Sequence, residues 1–180
     1  ASLLSWHKEK TQYSPVDKAS VVACLNMETQ QAYQLEASAP AFAAMHPDPI
    51  EVNPENLLGK MMTFDAADGK QANAYFIPAK QKSKKWLIVI QEWWGLNDNI
   101  KLEADKYFSA LGDMNVIAVD MYDGKVAATP DSAMKLMRGA NMGRMAAIIQ
   151  GAIKHAGADA SIYTVGWCFG GMWSLQTAIL

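Results

Sequence analysis

The sequence predicts an α/β protein built on a mainly parallel sheet with flanking helices, and three observations carry that prediction. From Trp86 onward, strand-like apolar runs alternate with segments of helical periodicity, the order that yields parallel crossovers. Trp86–Ile90 and Val116–Val119 are almost wholly apolar, as strands covered on both faces are. Upstream of them, two alternating runs separated by a glycine-containing turn predict an antiparallel hairpin at the sheet's edge.

Each element has its own reason. Residues 1–48 form a polar, Ala-rich extension with helical character around Glu28 to Ala37, and it ends at the breaker His46-Pro47-Asp48-Pro49. The remaining 49–180 read as one domain. Within it, Lys60–Phe64 and Gln71–Ile77 alternate as half-buried strands do, and Asp65, Ala66, Ala67, Asp68 and Gly69 join them, the glycine being able to take positive φ. The lysines from Lys80 to Lys85 make a solvated loop before the first buried strand. Ile100, Ala104, Tyr107, Phe108 and Leu111 then share one helical face, and Ile148, Ala152 and Ile153 share another. Met134, Met137, Met142 and Met145 recur at near-helical spacing, which reads as core packing and not as a thioether metal site. Gly139, Gly143 and Gly151 weaken that second helical region and predict a kink or a close approach. A β-branched run at 161–165 closes the series.

The chemistry concentrates where that last run breaks into Gly166-Trp167-Cys168-Phe169-Gly170-Gly171. Gly-x-Cys-x-Gly between a strand and a helix is a nucleophile elbow with cysteine in place of serine: a strained turn presents the thiol, and small residues two positions either side prevent collisions. The helix that follows points unpaired N–H groups and its positive dipole end at the sulfur, favouring thiolate. Cys168 is therefore the candidate nucleophile. A second segment, Gln91-Glu92-Trp93-Trp94-Gly95-Leu96-Asn97, closes a buried strand with an acidic residue. Loops at the carboxyl ends of strands build the site in such sheets, so Glu92 and Trp93 should share a rim with Cys168. The backbone N–H groups of Phe169 and Trp93 are the candidate oxyanion hole.

These two segments, with Val119-Asp120-Met121-Tyr122 between them, resemble the dienelactone hydrolase family in order and spacing, over about residues 58 to 180. The resemblance implies an α/β-hydrolase fold and cleavage of a small carboxylic ester or lactone through a cysteine acyl-enzyme, with a Cys, His, Asp triad and without metal or organic cofactor. It also implies that Glu92 contacts Cys168 in the resting enzyme and that substrate binding releases the thiolate. Trp93-Trp94 departs from the smaller residues common at that place, so a different acyl group is expected. In this fold the triad acid and histidine follow the nucleophile, after the seventh and eighth strands, whereas only nine residues follow Gly171. The expectation is a fragment lacking the C-terminal strands, with an open apolar edge at 161–165 that invites pairing with another chain. Expressed alone, it is expected to be insoluble or to fold only with a complementary half or a second copy.

No other residue replaces the triad partners. His155 ends the helical segment feeding the 161–165 strand, and at ~3.3 Å per residue it lies a whole strand length, roughly 16 Å, from the thiol; His7 and His46 belong to the extension. Asp120 closes a strand on the active rim, where turn and cap hydrogen bonds are the expected work of aspartate. With 180 residues, a formal net charge of −2 and no apolar run long enough to span a bilayer, the chain offers neither a nucleic-acid footprint nor a membrane segment. Cys24 and Cys168 are too far apart in sequence to suggest a disulfide framework. The missing initiator methionine leaves both export and a cytoplasmic location open. A thioesterase or acyltransferase shares the acyl-enzyme and stands as the first alternative function; a non-catalytic scaffold in which Cys168 is relict stands as the second.

Overall fold

The hairpin that begins the described structure forms as its alternation demands. A computed structural model describes residues 57–178. Strand β1 (Lys60–Asp65) pairs antiparallel with β2 (Gln71–Ile77), in a register running from Lys60 opposite Phe76 to Asp65 opposite Gln71. The turn closes with Ala66 N–H donating to the Lys70 carbonyl at 2.9 Å, and Gly69 takes φ 80°. The extension, the boundary near residue 48, His7, His46 and Cys24 all lie outside the described residues.

Next come β3 (Lys85–Ile90), α1 (Asp98–Leu111), β4 (Asn115–Val119), α2 (Pro130–Arg138), α3 (Met142–Ala156), β5 (Ser161–Gly166) and α4 (Phe169–Thr177). The sheet order is β1-β2-β4-β3-β5; β4 and β5 run parallel to β3 on its two sides, and β2 joins β4 antiparallel. This is the mixed, mainly parallel arrangement expected from the alternation, with the hairpin at one edge and β5 at the other.

Successive residues of β3 feed opposite faces, as a strand's period of two requires. Leu87 and Val89 pack with Val116 and Ala118 against Ile100, Ala104 and Phe108 of α1. Trp86, Ile88 and Ile90 pack with Ile117 and Val119 against α2, α3 and α4. Three of the helices start on side-chain caps: Asn97, Thr129 and Asn141 each accept from the backbone N–H of the third helical residue, satisfying donors the helix leaves open.

The second helical region proves to be two helices. Gly139 caps the end of α2, and α3 starts afresh after Asn141. Gly151 explains the expected close approach: a Cβ there would stand 2.5 Å from the Asp65 carbonyl oxygen and 2.6 Å from Ala66 Cα. Helix α3 thus lies on the hairpin turn, where Ala67 N–H also donates to the Ala147 carbonyl at 2.9 Å. The methionines behave as core, with Met137 and Met145 buried and Met134 and Met142 packed against them.

Candidate functional site

The site is built where β3, β4 and β5 end. Cys168 sits between β5 and α4 with φ 52° and ψ −116°, a region that non-glycine residues avoid because Cβ crowds the neighbouring backbone. The flanking glycines make the turn possible. A Cβ on Gly166 would stand 2.3 Å from the Gly170 carbonyl oxygen, and one on Gly170 would stand 2.3 Å from that of Ile90 and 2.5 Å from that of Gln91. The start of α4 is therefore pressed directly onto the end of β3. Cys168 is a half-buried thiol packed against the larger core cluster. Phe169, next in the chain, opens α4, where amides have no acceptor within their own helix.

Parallel register aligns the second segment with this turn. Ile90 of β3 pairs with Gly166 of β5, and two residues beyond that pair stand Glu92 on one chain segment and Cys168 on the other. Glu92 is half-buried and opens a turn closed by Gly95 N–H donating to its carbonyl at 3.4 Å. Gly95 takes φ 98°, and a Cβ there would meet the Lys125 carbonyl oxygen at 2.4 Å, so the loops after β3 and β4 touch at this point. Trp94 strengthens the contact by accepting at its carbonyl from Ala127 N–H at 2.8 Å. The indoles of Trp93 and Trp94 stand edge to face at 5.1 Å and are both buried, so the pair fills core beneath the rim.

Two neighbours on the rim lie within the resembling segments, which by themselves assign them no role. Gln91, fully buried, accepts at its side-chain oxygen from Met121 N–H at 3.1 Å and so ties the end of β3 to the turn after β4. Tyr122, also buried, lays its ring 5.6 Å from that of Phe169, tilted by 43°. The available signal was position: a polar residue just past a buried strand on the rim side of the sheet.

Asp120 does the turn work expected of it. Its carboxylate, buried at 3 % exposure, accepts from Tyr122 N–H at 3.1 Å and from Gly124 N–H at 2.5 Å. Burial raises its pKa from the ordinary 3.8, and those two N–H groups oppose the rise. Asp123, in the same turn, takes φ 52° and is held by Arg144, whose guanidinium also binds Asp68 and the Gln71 carbonyl. His155 ends α3 at the opposite edge of the sheet, exposed, with its ring 5.8 Å from that of Trp86 at the start of β3. It takes no part in the rim.

A cleft of about 230 Å³ opens beside the rim, lined by Tyr122, Asp123, Lys125, Lys135, Asn141 and Arg144 among others. Cys168 and Glu92 are not among its walls; Tyr122, which is, also lays its ring against Phe169.

Comparison with known proteins fits this arrangement. The profile of the dienelactone hydrolase family matches residues 72–180. A curated relative, Protein usf of Aquifex pyrophilus, is 37% identical over 87 residues, which make up 44% of this chain and 34% of that protein. The solved structure m3DLH is similar with a TM-score of 0.53 at 24% identity, over 67% of this chain and 54% of that one. A dienelactone hydrolase-like promiscuous phosphotriesterase from metagenomic libraries has a TM-score of 0.50 at 26% identity and the same coverage. The chain thus spans about a third of the curated relative and about half of these solved structures. Its fold is that of the α/β-hydrolases, and with a profile match over more than half its length the chain belongs to the dienelactone hydrolase family.

Proposed function

We propose that this chain carries the nucleophile and oxyanion half of a hydrolase that cleaves small carboxylic esters or lactones through a cysteine acyl-enzyme. The observation that carries the reading is the backbone at Cys168: a non-glycine residue in the left-handed region, between two glycines that admit no Cβ, is strain expected where it is functional.

The sulfur, as thiolate, attacks the acyl carbon; the carbonyl π pair moves onto oxygen, and the amides of Trp93 and Phe169 donate to the resulting oxyanion. Collapse expels the alcohol oxygen with its bonding pair and leaves a thioester on Cys168. Glu92 restrains the thiol until substrate displaces it. Water then cleaves the thioester with help from a base other than His155, the histidine of the described residues, which lies a strand length away.

The test is the pH dependence of Cys168 alkylation by iodoacetamide in a Cys24→Ser background, with Glu92→Gln alongside. An apparent thiol pKa clearly below the unperturbed value of about 8.5, moved by neutralising Glu92, is the expected result. An unperturbed or unreactive thiol would transfer the reading to a non-catalytic scaffold.

A further inference from the structure

The side chain of Gln91 is fully buried, and only one end of its amide is satisfied. The oxygen accepts from Met121 N–H at 3.1 Å, while the nitrogen has no hydrogen-bond partner among the described residues. A methionine of the same length would leave no donor stranded, so keeping the amide costs the fold the desolvation of an unpaired N–H group. What the oxygen holds explains the cost. The parallel ladder between β3 and β4 stops at Ile90 opposite Val119, and Asp120 N–H turns away to the Asn73 carbonyl of β2 at 3.0 Å. Beyond that point the Gln91 side chain carries the link from β3 to the chain after β4. The next fixed point is Trp94, whose carbonyl accepts from Ala127 N–H at 2.8 Å. Between these ties lie Glu92 and Trp93, the proposed partner of the resting thiol and the proposed oxyanion donor.

The backbone of Gln91 bears on the elbow as well. A Cβ on Gly170 would stand 2.5 Å from the Gln91 carbonyl oxygen, so the start of α4 presses on the peptide that leads into Glu92. The Trp93 indole is buried in the core, but the Trp93 amide belongs to the Glu92–Trp93 peptide, whose plane turns about single bonds at those two residues. An anchor on each side leaves that plane little freedom.

We propose that Gln91 is a positioning residue for acyl transfer: by holding Met121 N–H it fixes the near end of the 92–93 segment and aims the Trp93 amide at the oxyanion. It acts through that amide and contacts no reacting atom. The inference rests on the cysteine-hydrolase reading and adds to it the side chain that aligns one of the two donors. Oxyanion donors work by being aligned beforehand, and a misplacement of about 1 Å can cost about 100-fold in rate.

Gln91→Met keeps the length and removes the acceptor, whereas Gln91→Glu keeps an oxygen opposite Met121 N–H. In the Cys24→Ser background, two rates are read on the full chain: the p-nitrophenolate burst from p-nitrophenyl acetate, and alkylation by iodoacetamide. Both are taken at a pH where wild-type alkylation has reached its plateau, so that the thiol is ionised throughout. Acylation passes through an oxyanion; alkylation, a direct displacement at carbon, does not. The expected result is a burst ~10- to 100-fold slower in Gln91→Met with alkylation unchanged, and a burst in Gln91→Glu within a few-fold of wild type. A change that only weakened the fold would lower the melting temperature and leave the ratio of the two rates alone. An unchanged ratio in Gln91→Met therefore overturns the proposal. Equal losses in Gln91→Met and Gln91→Glu also overturn it, since the effect would then belong to the amide nitrogen. Should Gln91→Met fail to fold, Gln91→Asn, which draws the oxygen back from Met121 by one methylene, is read in its place with the same expectation. A wild type whose Cys168 alkylates but gives no burst overturns the hydrolase reading, whereas a wild-type burst with an unchanged ratio in the variant overturns this inference alone.

Discussion

At the scale of single residues, the elbow stores strain that substitution can measure. Cys168→Ala keeps the Cβ in the left-handed region and Cys168→Gly removes it, so the glycine variant should be the more stable by ~1–2 kcal/mol in denaturant titrations, despite its greater loss of side-chain packing. A glycine variant no more stable than alanine would mean the turn at 168 is unstrained. Gly170→Ala runs the other way: its Cβ would be 2.3 Å from a carbonyl oxygen fixed in β3, with no flexible side chain to yield, and the cost should reach ~3 kcal/mol or prevent folding. The motif at 166–171 was readable because glycine and cysteine announce their geometry by type. Gln91 was not, because a glutamine after a strand has many common uses, and only its complete burial with an unpartnered amide nitrogen sets it apart among the described residues.

At the scale of elements, two polar ties hold the layers in register, one buried and one at the surface. On the α1 face, Tyr75 O–H donates to Asp105 at 2.6 Å, Asp105 also accepts from Leu58 N–H at 2.9 Å, and Tyr75 oxygen accepts from Gly59 N–H. This clasp joins β2, α1 and the chain leading into β1. Burial, and then the bond to Asp105, push the Tyr75 phenol up from its ordinary 10.0, and burial does the same for Tyr122. The sign follows from the folded pKa being raised: the stability is fully present below pH 10 and is lost as pH rises above it, because the unfolded chain releases protons that the folded one keeps. Each phenol should add a slope of about 1.4 kcal/mol per pH unit above pH 10, and Tyr75→Phe should remove one share of it in denaturant titrations at rising pH. On the other face, Arg144, 12 % exposed in its side chain, joins the hairpin turn, β2 and the turn after β4. Arg144→Met should lower stability by ~1–3 kcal/mol, and a change below 0.5 in the same assay would reduce this network to surface decoration. The split between α2 and α3 lay at glycines the periodicity had marked as weak, yet kink and break leave the same trace in sequence.

At the scale of the whole molecule, β5 stands at the sheet's end among the described residues, with Tyr163 on it and Leu175 on α4 both exposed. An edge of this length carries a row of backbone donors and acceptors that another chain can pair with. We predict concentration-dependent association of the 180-residue chain through β5, weakened by Tyr163→Lys; a monomer by light scattering up to high concentration, with a sharp two-state melt, would contradict it. Hydrophobic period, turn residues and the Gly-x-Cys-x-Gly spacing by themselves determined the α/β class, the strands within about a residue and the elbow, because each follows from local geometry that residue type dictates. Only the tertiary structure decided that Trp93 and Trp94 fill core, that Gly151 seats α3 on the hairpin, that Asp120 is spent on its own turn, and that Tyr122 meets Phe169. Those facts depend on which strands become neighbours, and in a sheet ordered β1-β2-β4-β3-β5 the neighbours are mostly distant in sequence.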